Sequence, residues 1–212
     1  MPASDKAVTI NHALGKVIGD DETGFRGQAD LPYRLEAWNF LVAGGGIFSH
    51  LDYSYTTAHP GGTWMPLPPN QPGGGGPGFR RQMRVLADFM NGLEFVKMSP
   101  RDEVLSLGTA TDMSARALVE DGRQYAIYVS LADTGRSGST DRLRALATTT
   151  LPSREVDLAV TLPAGRYDAT WVSPTTGQSL VRERVNHQGG TRALHSPAFT
   201  TDLALKIVRV GT

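Results

Sequence analysis

The chain has 212 residues, of which 40% are hydrophobic and 20% charged, a composition typical of folded globular proteins and unlike that of disordered ones. Lysine plus arginine and aspartate plus glutamate both number 21, so the zero net charge gives no support to nucleic acid or an anionic membrane as main partner. No apolar run approaches the roughly 20 residues that span a bilayer. The absence of cysteine excludes disulfides and thiolate metal sites. The first residues lack the apolar core of a signal peptide, and the compartment stays open.

The first strand pattern, residues 17–22, predicts a short buried strand that ends in carboxylates. Asp20, Asp21 and Glu22 are adjacent, and Thr23-Gly24 then interrupts the pattern. Barrels of alternating strands and helices carry their catalytic groups at the carboxyl ends of the strands. Two interpretations remain open: a solvated acidic turn, or Glu22 as a nucleophile in a substrate cleft. A metal site is less favoured, because no histidine lies nearby at ligand spacing.

The next hundred residues continue the alternation of helix and strand. The apolar spacing predicts a helix over residues 32–43, a strand over residues 47–51 and a second helix over residues 79–93. This order is typical of a piece of an α/β barrel or a doubly wound sheet. The long loop between them, residues 56–78, contains four consecutive glycines, residues 73–76, which predict a flexible connector.

Polar and aromatic side chains follow the second strand and are candidates for sugar binding. The rings of Tyr53, Tyr55 and Trp64 suit stacking on the apolar face of a sugar, while His50 and Asp52 suit hydrogen bonds to its hydroxyls. The alternative is structural. The two tyrosines then pack the rim of the fold, the histidine caps the strand and the tryptophan anchors the loop.

The chain changes character near residue 101, after which only strand patterns occur. The turn Asp121-Gly122 between two alternating runs is a strong hairpin pattern. Several short strands with turns between them predict an antiparallel β-sandwich. The chain therefore divides into residues 1–102 and residues 103–212. The predicted strands of the second part are residues 115–120, 124–131, 155–162, 167–172, 179–185 and 202–210.

Several segments together resemble a known family of proteins. Residues 16–25, 33–38, 43–48 and 51–55 look like the last quarter of a glycoside hydrolase barrel, similar to the cellulase-like and apiosidase-like families. In those proteins the barrel is followed by a small β-sandwich of the collagen-binding type. Residues 165–177 resemble the Trp-x-x-Pro-x-x-Gly hairpin of that module. The resemblance implies a fold of the α/β plus all-β class: about two β/α units of a (β/α)8 barrel, followed by the sandwich.

The resemblance also implies an activity and site residues. Residues 17–22 and 47–51 would be the seventh and eighth barrel strands, and Glu22 would match the nucleophile of retaining glycosidases. His50, Asp52 and Tyr53 would line the sugar subsite beside it. The substrate would be the O-glycosidic bond of a polysaccharide or oligosaccharide, no cofactor is implied, and the family is often secreted or periplasmic.

One departure limits this expectation. A retaining glycosidase needs a second carboxyl group as acid/base. In these families that group lies at the end of the fourth barrel strand. The residues before Lys16 do not supply such a strand. We therefore expect a C-terminal region of a longer hydrolase or a truncated reading frame, inactive by itself. Exposed edges of an incomplete barrel would favour association with another chain.

The sequence leaves two alternative functions open. The sandwich could be a binding module for glycan or an extracellular matrix protein, which an exposed row of Tyr125, Tyr128, Tyr167 and Trp171 would support. A purely structural interaction domain would be indicated if Glu22 pointed into solvent with no cleft around it.

Overall fold

The first part of the chain alternates helices and strands, as the sequence predicts. The protein is described here by a computed structural model, which covers residues 4–68, 71–132 and 150–211. The helix α1, which the sequence patterns do not predict, precedes this alternation. The elements are α1 (Ser4–Asn11), β1 (Gly19–Thr23), α2 (Asp30–Val42), β2 (Ile47–His50) and α3 (Pro77–Asn91).

The strands β1 and β2 form a two-stranded parallel sheet, which we call the parallel pair. The helix α2 connects them, as parallel neighbours require, since their ends lie at opposite edges. Asp20 lies opposite Phe48 and Thr23 opposite His50, with an irregularity between the two positions. The expectation of a buried strand is wrong for this region: Val17 is 75% exposed and β1 is mostly exposed. No further strand of the described residues pairs with either edge.

The second part of the chain is antiparallel throughout. Its strands are β3 (Ser99–Pro100), β4 (Leu105–Ser106), β5 (Met113–Glu120), β6 (Gln124–Leu131), β7 (Asp157–Leu162), β8 (Gly165–Val172), β9 (Ser179–His187), β10 (Gly190–His195) and β11 (Asp202–Arg209). All six predicted strands occur, together with the short β3 and β4 and with β10, whose polar sequence lacks the predicted alternation. Six strands form the large sheet, in the order β3-β5-β6-β11-β8-β9, and three form the small sheet, in the order β10-β7-β4.

One face of the large sheet shares a hydrophobic core with the small sheet. Alternate residues of β6, β8 and β11 point into it, as the period of two of a strand requires. Leu158, Val160 and Leu162 of β7 enter from the small sheet. Three aromatic side chains are fully buried there: Tyr125, Tyr167 and Trp171. The rings of the two tyrosines meet edge to face. These aromatics therefore stabilise the core and do not form an exposed row.

The opposite face of the large sheet packs against α2 and α3. Trp38 of α2 stacks on Tyr128 of β6 with ring centroids 5.2 Å apart and planes 14° from parallel. Phe89 of α3 meets the Trp38 ring edge to face, with centroids 5.0 Å apart. Because β6 is covered from both sides, all eight of its residues are buried. The helices of the first part and the strands of the second thus share one core.

A buried polar network crosses this interface between helices and sheet. Arg34 of α2 donates two hydrogen bonds of 2.9 Å to the carboxylate of Asp202, at the start of β11. The hydroxyl of Tyr128 donates to the same carboxylate at 2.8 Å. Gln82 of α3 accepts from Arg34 at 2.7 Å and donates to Asp30 at 2.7 Å. The carboxylate of Asp202 thereby connects β11 to α2 and β6, which specifies how the helices lie on the sheet.

The mixed class of helices with several antiparallel sheets agrees with the prediction. Within the described ranges, no helix is both long enough and apolar enough to cross a membrane.

Candidate functional site

Glu22 lies near the carboxyl end of β1, at the same edge of the parallel pair as the end of β2. Its side chain is exposed, and within the described residues no hydrogen bond or ion pair engages it. The following residue, Thr23, is buried and donates a hydrogen bond of 2.6 Å to Glu36 of α2. The strand is thus anchored to the helix layer through Thr23, while the neighbouring carboxylate remains available to solvent.

Glu36 is a second carboxylate beneath this strand end, but its environment is that of a structural group. Its side chain is 7% exposed and pairs with Arg26 at 2.8 Å. Arg26 lies in the loop after β1, where its amide donates to the hydroxyl of Tyr33 at 2.8 Å. These contacts connect the loop to α2. Both oxygens of Glu36 are occupied by donors of the chain itself.

Asp52 is held by donors from three segments of the chain. One oxygen accepts from the amide of Ser54 at 3.0 Å, its hydroxyl at 2.6 Å and the amide of Gly76 at 2.9 Å. The other accepts from Arg80 at 2.5 Å. Burial by itself would raise the pKa of Asp52, but the hydrogen bonds from Ser54, Arg80 and Gly76 outweigh it and hold that pKa below its usual value. Asp52 therefore stays ionised at the N-terminus of α3, where the helix dipole favours a negative charge.

His50 packs between two aromatic rings. Its ring lies 4.3 Å from that of Tyr33 and 4.6 Å from that of Phe79, centroid to centroid. Both ring nitrogens are buried, and no described residue forms a hydrogen bond with them. Burial lowers the pKa of His50 to about 4, although the nearby carboxylate of Asp52 acts in the opposite direction. The imidazole is consequently neutral at physiological pH.

The three aromatic candidates lie in the loop that follows β2. Tyr53 approaches the backbone of Gly24, two residues beyond Glu22. Tyr55 is half exposed, and Arg80 lies over its ring at 5.0 Å. Trp64 stacks on His59 at 6.4 Å between centroids and donates its backbone amide to Ser54. Tyr53 is thus the aromatic side chain that the fold brings to the end of β1.

The sequence predicts that the four glycines of residues 73–76 form a flexible connector. This prediction is wrong, because all four residues are buried. A β-carbon at Gly73 would overlap the carbonyl oxygen of Gly24, and one at Gly75 would overlap the carboxylate of Asp52. The amide of Tyr53 also donates to the carbonyl of Gly74 at 3.2 Å. The run is therefore required for close packing: it allows the long loop to pass between the ends of the two parallel strands.

A cavity of about 440 Å³ lies beside the free edge of β2. It is lined by His50, Asp52, Tyr55 and Arg80 and by apolar side chains of α3, but not by Glu22. Its volume lies within the range of small-ligand sites. No group of three or more metal-ligating side chains occurs in the parts of the chain that the structure describes.

The fold thus brings His50, Asp52 and Tyr55 together, places Tyr53 near the strand end that carries Glu22 and leaves Trp64 further along the loop. The residue that sequence reasoning missed is Arg80, which organises this cluster. No local signal connects it to Asp52, since the two are 28 residues apart in the chain.

Comparisons with known proteins identify similar folds among solved structures. No protein-family model matches the sequence, and no curated protein is similar to it. A structure described as a glycoside hydrolase matches with a TM-score of 0.59 and 14% identity, over 97% of this chain and 46% of that one. A glycoside hydrolase family 5 structure from Bacteroides vulgatus matches with a TM-score of 0.58 and 15% identity, over 97% and 45%. The chain therefore has a glycoside hydrolase-like fold and spans a little under half the length of these structures.

Proposed function

We propose that this chain is the C-terminal region of a retaining glycosidase that acts on O-glycosidic bonds of an oligosaccharide or polysaccharide. The observation that carries the proposal is the β1-α2-β2 unit, with parallel strands and a free carboxylate at its carboxyl edge. Catalytic groups of α/β barrels occupy this position. The likeness to glycoside hydrolase structures supports the same assignment. In this proposal β1 and β2 are barrel strands, and the large and small sheets form an accessory β-sandwich after about residue 102.

Glu22 is the proposed nucleophile. A nucleophilic carboxylate must be ionised and accessible to the anomeric carbon, and Glu22 is exposed and without an ion pair in the described residues. Tyr53 and Tyr55 would bind the sugar, and Trp64 would extend the binding surface along the loop. His50 and Asp52 would line the subsite. Asp52 acts there mainly by positioning, since its hydrogen-bonding capacity is directed to Ser54, Gly76 and Arg80.

The chain by itself is expected to be inactive. A retaining mechanism needs two carboxyl groups about 5 Å apart, one of them protonated to assist the leaving group. Two other carboxylates near the strand ends are engaged: Glu36 by Arg26, and Asp52 by Arg80. Neither can act as a free acid/base without losing an ion pair.

We further propose that another polypeptide segment covers the edges of the parallel pair. Parallel sheets are normally buried on both faces, whereas Val17 and Ile47 are 75% and 57% exposed here. The matched structures are more than twice as long as the aligned part. A segment with further parallel strands would bury these side chains and could supply the acid/base.

The first test is the coding sequence upstream of Met1. An in-frame extension of about 200 residues with a strand that ends in glutamate would complete a barrel of ordinary size. A stop codon at that point would instead indicate a relic. Hydrolysis of aryl glycosides by the purified chain alone, abolished in Glu22→Gln, would contradict its expected inactivity.

The second test identifies the nucleophile in the extended protein. A 2-deoxy-2-fluoro glycoside forms a slowly hydrolysed covalent intermediate with a retaining nucleophile, so the labelled tryptic peptide should be residues 17–26. The label should be absent in Glu22→Gln and present in the matched control Asp21→Asn. Active extended protein with the label on another peptide would contradict the assignment of Glu22.

A further inference from the structure

A second cavity lies between α3 and the outer face of the large sheet, separate from the residues around Glu22. Its volume is about 540 Å³, within the range of small-ligand sites. Three strands form its floor and α3 forms one wall. We call it the lateral groove, and its polar lining residues are Asp88, Thr170, Thr176, Ser179, Arg182 and Lys206.

The strand register aligns two cations on either side of a hydroxyl group. Lys206 of β11 lies opposite Thr170 of β8, and Thr170 lies opposite Arg182 of β9. Directly opposite residues lie on the same face of a sheet, about 5 Å apart. The row Lys206, Thr170 and Arg182 therefore presents a cation, a hydroxyl group and a second cation along roughly 10 Å of the groove floor.

Lys206 is half-buried and has no carboxylate partner among the described residues. Its ammonium group lies 5.7 Å from the centroid of the Phe89 ring, and a β-carbon at Gly92 would lie 2.9 Å from its nitrogen. The C-terminal end of α3 and the aromatic ring thus hold the charge in place without neutralising it. Arg182 is different, because Asp168 binds it at 2.7 Å.

The turn after β8 closes one end of the groove. Gly177 packs on Val85 of α3, where an added β-carbon would lie 3.3 Å from a methyl group of the valine. Its φ of +76° also favours glycine. This contact places the hydroxyl-bearing residues Thr176 and Ser179 at the wall of the groove. The Trp-x-x-Pro-x-x-Gly segment therefore positions polar groups here, while its tryptophan remains in the core.

We propose that the lateral groove binds an oligosaccharide that carries carboxylate groups, such as a chain of uronic acid units. A sugar carboxylate would pair with Lys206, and neighbouring hydroxyl groups would bond to Thr170, Ser179 and Asp88. A small inorganic anion would fill only a small part of the volume and would leave these polar groups to water. The proposal does not depend on hydrolysis, since Glu22 lies at the other sheet.

The test is calorimetric titration of the full chain with a trisaccharide of galacturonic acid, at low and at physiological ionic strength. We expect measurable binding that weakens with salt, and none with an uncharged glucose trisaccharide. Lys206→Met should weaken binding tenfold or more, because it removes the cation that would bond to the sugar carboxylate. Arg192→Met, an exposed cation on the small sheet, is the matched control and should bind like the wild type.

Three results would overturn the proposal. They are equal binding of the uncharged trisaccharide, full competition by sulfate at the same concentration, and unchanged affinity in Lys206→Met. If that variant fails to fold, Thr170→Val tests whether the floor of the lateral groove binds the sugar, since the substitution keeps the shape of the side chain and removes its hydroxyl. Unchanged affinity in folded Thr170→Val would then overturn it. Because binding is measured without turnover, either result leaves the assignment of Glu22 unaffected.

Discussion

The large antiparallel sheet and the parallel pair are both central to the fold, but their environments differ. The small sheet covers one face of the large sheet, and α2 and α3 cover the other. All residues of β6 are consequently buried. Among the described residues, those that cover the parallel pair lie on its helix side, and Ile47 is 57% exposed. The candidate nucleophile therefore lies in the part of the molecule with the least support from its surroundings.

This difference suggests a division between stability and activity. The antiparallel part has a core of its own together with the helices, which supports folding of the chain as it stands. The parallel pair has unpaired strand edges among the described residues and exposed apolar side chains. In the proposed arrangement, one further polypeptide segment both covers this surface and supplies the second carboxyl group.

The largest effect should follow from breaking the network that joins α2 and α3 to the large sheet. Asp202→Asn leaves the guanidinium of Arg34 buried with a neutral partner, and removal of one member of a buried pair costs about 3–5 kcal/mol of unfolding free energy. Urea denaturation followed by circular dichroism measures this loss. Asp88→Asn, which breaks an exposed pair with Arg84, is the control and should leave stability nearly unchanged. Equal effects of the two variants would contradict the role of the network.

A matched pair of isoleucines compares the two sheets directly. Ile127→Ala, in the fully buried β6, should lower the unfolding free energy by about 2–5 kcal/mol. Ile47→Ala, in the exposed β2, should lower it by less than about 1 kcal/mol. Denaturation curves of both variants give the comparison. A loss at Ile47 as large as at Ile127 would indicate that the parallel pair is already covered, for example by self-association.

The pH dependence of stability should reveal the buried histidine beside the candidate subsite. The pKa of His50 is about 4 in the folded chain and about 6.5 when unfolded, so only the unfolded state binds the proton between these values. Stability is therefore fully present above pH 6.5 and declines as the pH falls towards 4. Allowing for partial solvent access, the decline should be about 1–2 kcal/mol.

His50→Phe should remove this decline, since phenylalanine keeps the contacts with Tyr33 and Phe79 and cannot be protonated. Thermal denaturation at pH 7 and pH 4.5 provides the measurement. His195→Gln is a suitable control because His195 is exposed and hydrogen-bonded to Asp157. An identical acid-side decline in the wild type and His50→Phe would contradict the burial of His50.

The smallest effect is expected at the candidate nucleophile. Glu22→Gln should change the unfolding free energy by no more than about 0.5 kcal/mol, because the described residues make no polar contact with this exposed side chain. Denaturation of this variant beside Asp21→Asn measures the change. A loss above about 1 kcal/mol would indicate a structural role for Glu22 and would weaken its assignment as nucleophile.

Local patterns predicted the elements of both regions well. The strand over residues 124–131 has the predicted bounds, because Gly122 ends the preceding strand and β-forming residues follow. The helix predicted over residues 32–43 extends from Asp30 to Val42. The strand β10 was not predicted, since its polar residues are stabilised by pairing with β7 rather than by their own pattern.

The candidate site was only partly predictable. The sequence indicated the residues after β2, but the ion pair of Asp52 with Arg80 depends on a loop that returns to the start of α3. The burial of the four glycines likewise depends on the loop after β1, which lies far away in the chain. Patterns of neighbouring residues carry no information about such contacts, because they are formed only when distant segments pack.

The sequence by itself determined the order of the longer elements after α1, with the exception of β10, the change from helix and strand to strand alone, and the carboxylates at the end of β1. These follow from local periodicity and turn chemistry. The tertiary structure decided which side chains are accessible. It buried Tyr125, Tyr128, Tyr167 and Trp171 in two cores and left Glu22 exposed. Burial depends on which layers cover a strand, so strands that local patterns predicted in both regions form a covered sheet in one region and an open sheet in the other.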